Sequence, residues 1–85
     1  MFISDVFKVI VAPNPSTTDF RLHVQSSSNA PINIRVTDAV GRVLAVITSV
    51  HSNSEVTFGG NYRGGSYFAE VVQGANHKTV KLIKL

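Results

Sequence analysis

In the segment TDFRLHV, Thr18 to Val24, polar and apolar side chains alternate from Asp19 onward. Phe20, Leu22 and Val24 fall on one side, and Asp19, Arg21 and His23 on the other. This is the period of a β-strand with one buried face, and no helix can segregate residues so spaced. INIRVT repeats the pattern, with Ile32, Ile34 and Val36 on the apolar side and Asn33 and Arg35 opposite. SEVTF places Val56 and Phe58 together. SYFAEVVQ sets Tyr67, Ala69 and Val71 against Glu70, which is expected to pair across the strand with a lysine. HKTVKLIKL offers Val80 and Leu82 as its core pair. VFKVIV is β-branched and aromatic, and RVLAVITS, apolar on both faces, reads as a central strand. Val, Ile and Thr dominate these runs and no helical stripe is sustained, so helix content should be near zero.

The runs are punctuated by PNPS, SSSNAP, DAVG, HSNS, GGNYRGG and GAN. In DAVG, Gly41 can take positive φ and close a tight hairpin, with Asp38 accepting backbone N–H bonds. Short strands at this spacing predict an all-β fold, an Ig-like β-sandwich of about seven antiparallel strands in two sheets. Pro13, Asn14 and Pro15 should form a corner. Pro13 lacks an N–H and cannot continue a ladder, and each proline biases the residue before it towards extended backbone. Asn14 is expected to bond its own neighbouring backbone there, and the chain to pass from one sheet to the other.

With 85 residues the chain is one domain, and its 44% apolar and 15% charged content is globular rather than disordered. It has no Cys, so disulfides are excluded while the compartment stays open. The net charge is +3; Lys78, Lys81 and Lys84 cluster late, while Arg21, Arg35, Arg42 and Arg63 are scattered. Nucleic-acid binding needs a denser basic stripe and is not expected. His23, His51 and His77 have no metal-ligand spacing, and Asp5, Asp19, Asp38, Glu55 and Glu70 fall in five separate elements. Neither a zinc or calcium site nor a glycosidase pair follows. There is no Gly-x-Ser-x-Gly elbow, and GGNYRGG leads into a strand without the Gly-Lys-Ser/Thr of a phosphate loop. The expectation is a non-enzyme without a cofactor. Tyr67 reads as core and Tyr62 as a plug at one end of the sandwich; with no Trp, an accessory, adhesive or carbohydrate-binding module is only the alternative reading. No run reaches the ~20 apolar residues of a membrane span. MFISDVF lacks the features of a signal peptide, so the chain is expected to be a piece of a longer protein or to be exported by other means.

KTVKLIKL stays apolar and basic up to Leu85, where chains ordinarily fray into polar residues. Such a strand must pair within its sheet, or offer its ladder groups, Ile83 and Leu85 to another protein by strand addition. Exposed strand edges could also let the isolated domain dimerise.

Taken in order, VIVAPNPSTTDFRLHV, VTDAVGRVL, YRGGSYFAEVV and KTVKLIKL resemble the C-terminal sorting domain, type A, of the type IX (Por) secretion system of Bacteroidetes. The likeness covers Val9 to Leu85, with Tyr62 in place of a usual leucine and Gly64 where proline is common. Gly65 and Tyr67 of the Gly-x-Tyr turn are kept. The resemblance implies a domain over residues 9–85, with 1–8 a residual linker and the start of the first strand. It implies a fused N-terminal cargo, passage through the periplasm to the cell surface or medium, recognition by the outer-membrane translocon, and removal by a sortase-like protease near or upstream of residues 1–5. Pro13, Asn14, Pro15, Asp38, Gly41, Arg42, Gly65 and Tyr67 would then be structural motif residues. Lys81, Ile83, Lys84 and Leu85, with Lys78 beside them, would be the contact residues. Removing Ile83 to Leu85 is expected to stop secretion while leaving most of the fold.

Overall fold

A computed structural model describes residues 6–85; Asp5, most of the expected linker and the expected cleavage region lie outside them. Each of the seven runs forms a strand: β1 (Phe7–Ala12), β2 (Phe20–Ser26), β3 (Ile32–Asp38), β4 (Val43–Val50), β5 (Glu55–Phe58), β6 (Gly65–Gln73) and β7 (Asn76–Lys84). All strand pairings are antiparallel, in one sheet of order β1-β2-β5 and another of order β4-β3-β6-β7. The inner faces meet as in a β-sandwich. Phe20, Leu22 and Val24 of β2 pack with Ile32, Ile34 and Val36 of β3, Ala69 and Val71 of β6, and Leu82 of β7. Burying one such large side chain contributes about 2 kcal/mol, and this layer is the main source of stability.

β4 is not the central strand its sequence suggested. It lies at the sheet edge, with Val43, Leu44 and Val46 exposed at 47%, 40% and 62%. Its inner residues Ala45 and Ile47 pack against the core, but no layer covers its outer face. Two-sided apolarity therefore does not make a strand central. The β3–β4 ladder also shifts register twice, between Ile32 and Ile34 and between Val36 and Thr37. Each shift inserts one extra residue on β4, and Ser49, at one of them, has φ +57°. Only Ala45 to Ile47 run without interruption between the shifts.

The corner at Pro13 to Pro15 does cross between sheets, but only briefly. β1 pairs with β2, and Ser16 then forms a parallel bridge with Lys84 of the other sheet. The chain returns to the first sheet at Phe20 to begin β2. The Ala12–Pro13 and Asn14–Pro15 peptide bonds are both cis.

Candidate functional site

The corner acts as a clasp on the last strand. Asn14 does not bond its own backbone. Its Nδ2 donates to the Lys81 carbonyl at 2.9 Å, and its Oδ1 accepts from the Ile83 N–H at 2.9 Å. The side-chain amide thus stands in for one peptide unit of an added strand. Ser16 N donates to the Ile83 carbonyl at 2.9 Å, and Leu85 N donates to the Ser16 carbonyl at 2.8 Å. Ser16 is fully buried, and its Oγ donates to the Asp19 carbonyl at 2.6 Å while accepting from Thr18 N at 3.1 Å. The loop that makes the clasp is therefore internally fixed before it meets β7.

Lys84 completes the clasp from inside. It shares the inward period of Val80 and Leu82 and is only 6% exposed. Its Nζ donates to the carbonyls of Gly59 at 2.7 Å and Gly60 at 3.4 Å, and to that of Thr18. Three ammonium donors meet three carbonyls, which is how a buried lysine is satisfied. Gly59 makes this possible: its φ is +85°, and a Cβ there would lie 2.9 Å from Cδ2 of Phe20. Lys84 is thus turned away from solvent and adds nothing charged to the surface. Beside it, Tyr62 does plug the end of the sandwich. Its ring stacks on Tyr67 at 4.8 Å and approaches Phe58 at 6.4 Å. Tyr67 Oη donates to the Arg63 carbonyl at 2.6 Å. Burial, and secondarily Tyr67, pushes the Tyr62 phenol above its ordinary value of 10.0.

The residues expected to be contacts separate into groups. Lys81 and Ile83 lie on the outer face of β7, Lys81 exposed and Ile83 half-buried, and Leu85 follows them at 69% exposure. Lys78 is exposed near the opposite end of the strand and has the inward period of Lys84. Because Ile83 and Leu85 bond the clasp and Lys84 is buried, deleting Ile83 to Leu85 would unseat Asn14 and Ser16. That truncation therefore removes the bonds of the clasp together with the expected contact residues.

The β3–β4 hairpin is built as read. Gly41 has φ +87°. Asp38 Oδ1 accepts from Val40 N at 3.1 Å and Arg42 N at 2.9 Å, and Oδ2 accepts from Arg42 Nε at 3.0 Å. The Arg42 backbone N–H, foremost among these, holds the Asp38 carboxyl below its ordinary 3.8. The Arg42 side chain is 76% exposed, so the ion pair itself adds little. Gly65 starts β6 opposite Lys84. Glu70 pairs with His77 Nε2 at 3.2 Å, not with a lysine, because the two residues meet diagonally on the outer face of the β6–β7 ladder.

Sequence reasoning missed Gln73, which is fully buried at the end of the sandwich away from Lys84. Its Nε2 donates to the Ala30 carbonyl at 2.7 Å and to Ser52 Oγ at 2.8 Å, and its Oε1 accepts from Ser26 Oγ. The signal was present: Gln73 and Lys84 both continue the inward period of their strands.

Among the described residues, no three His, Asp or Glu side chains converge to hold a metal. A family model described as the secretion system C-terminal sorting domain matches residues 10–85. No curated protein matches the chain significantly. A rigid sandwich whose polar groups serve turns, ends and a clasp, matched over nearly its whole length, belongs to the family of secretion system C-terminal sorting domains, the non-catalytic sorting signals of the type IX pathway that pass through the periplasm to the cell surface.

Proposed function

We propose that the translocon reads the outer face and end of β7, namely Lys81, Ile83 and Leu85, with Lys78 flanking them. The domain then serves as an address label on an N-terminally fused cargo and is removed by a sortase-like protease. The observation that supports this is the clasp. Asn14 and Ser16 fix the backbone of β7 from Lys81 to Leu85, and Lys84 anchors it from within. Lys81, Ile83 and Leu85 are thereby presented on backbone that is already ordered. A rigid epitope loses less entropy when bound.

The test is an export assay. The domain is fused to the C-terminus of a reporter bearing a signal peptide, in a Bacteroidetes host and in a translocon-deficient strain. Lys81→Glu and Ile83→Asp are expected to lower translocon-dependent export about tenfold or more, as changes at the centre of an interface do. Arg21→Gln, exposed on β2 of the other sheet, should export normally. Parental export of both β7 variants would sink the reading.

A further inference from the structure

The edge of β7 is not wholly used by the clasp. Odd-numbered residues of this strand turn their backbone groups away from β6, as shown by Lys81, Ile83 and Leu85 bonding Asn14 and Ser16. The β6–β7 register runs without a shift from Gly65↔Lys84 to Gln73↔Asn76. In an unbroken antiparallel ladder the alternation persists. The N–H and C=O of Thr79 and His77, and the N–H of Lys81, therefore also point outward. Among the described residues, no backbone group takes up those of Thr79. His77, Lys78, Thr79 and Lys81 are all exposed.

We propose that this stretch, His77 to Lys81, takes an added strand, an extended segment of the partner that carries acidic side chains. The inference rests on the reading of β7 as the recognised element and names what binds there. Three observations support it. The same edge already holds an added segment of its own chain, at Asn14 to Ser16, so its geometry accepts one. The ladder is regular, whereas the other edge of this sheet, β4, is broken by two register shifts. The flanking charges are Lys78 and Lys81, and Glu70 on the adjacent strand is already occupied by His77. A second copy of β7 would bring lysines against lysines, while an acidic strand would be attracted. Charge placed this way selects one partner and repels another.

The discriminating variant is Thr79→Pro. Proline removes an N–H that the β6–β7 ladder does not use, so the folded domain should persist, as prolines do at strand edges. Val80→Pro, whose N–H lies on the β6 side, is the control that breaks the ladder. In the export assay Thr79→Pro is expected to cut export about tenfold, with circular dichroism and melting of the purified domain close to the parent. Export equal to the parent would overturn strand addition. If Lys81→Glu fails while Thr79→Pro passes, the side-chain reading of β7 stands and only the added strand falls. If both pass, both readings fall.

A second measurement covers the case in which Thr79→Pro does not fold. The parental domain is mixed with a synthetic peptide of alternating Glu and Val, and amide exchange is followed by NMR. The Thr79 and His77 amides should slow about tenfold at low salt, and a peptide with Lys in place of Glu should leave them unchanged. Unchanged exchange with the acidic peptide would show that the lysines only keep strands away, and would overturn the proposal.

Discussion

The two edges of the four-stranded sheet solve one problem in opposite ways. β4 carries no charge over its eight residues and leaves Val43, Leu44 and Val46 exposed. Such a strand would template aggregation if it were straight and regular. Its two register shifts prevent that by breaking the line of ladder groups. β7 is regular along its length and exposes Lys78 and Lys81. It is protected by charge and by its own chain, which clasps the end nearest Leu85. Bulges deny the β4 edge to every strand. Charge and a partial cover leave the β7 edge open to a chosen one.

The largest loss is expected at Lys84, which seats the clasped end of β7. Lys84→Met keeps much of the apolar stem but leaves the Thr18, Gly59 and Gly60 carbonyls without their donor. Unsatisfied buried acceptors of this kind should cost about 3 kcal/mol together, measured by urea unfolding. A loss below about 1 kcal/mol would mean that the buried ammonium is not what seats β7.

Asn14→Ala tests the cover alone. It removes both bonds to β7 from an exposed side chain, so the expected cost is about 1 kcal/mol. The Ile83 amide should then exchange with solvent faster than in the parent, with the core amides unchanged. Slow exchange at Ile83 would mean that Ser16 holds the edge without Asn14.

The β4 edge is expected to tolerate what the β7 end does not. Val46→Lys places a charge on an exposed position of an already interrupted ladder and should change stability by less than about 0.5 kcal/mol. A larger loss would show that Val46 has a packing role hidden by its exposure.

The smallest effect is on acid stability, through the turn that delivers β4 to its edge. The folded protein lowers the Asp38 pKa, so the carboxylate contributes stability above its ordinary 3.8 and loses it as pH falls through the lower folded value. Melting temperature followed into acid should fall a little more in the parent than in Asp38→Asn over that window. Parallel curves would mean that the charge on Asp38 does not hold the hairpin.

Much of this was legible because the signal is local. Alternation placed Phe20, Leu22, Val24, Ile32, Ile34 and Val36 inward, and all are buried. Asp38 and Gly41 announced their hairpin because a turn is satisfied within a few residues. The readings that failed at Asn14 and Lys84 concern partners far along the chain. Asn14 and Lys81 are separated by 67 residues, and Lys84 and Gly59 by 25. Lys84 was read as a surface contact because lysine is rarely buried, although its period in β7 pointed inward. Gln73 was overlooked for the same reason.

The amino-acid order by itself determined seven strands, the buried faces of the alternating ones, the hairpins and the family, since periodicity and turn chemistry are properties of neighbouring residues. The tertiary structure alone decided which strands became edges, where Asn14 spends its amide, and that Lys84 faces three carbonyls rather than water. Those outcomes depend on which distant backbone groups remain unpaired once the sheets have closed, and no local pattern encodes that.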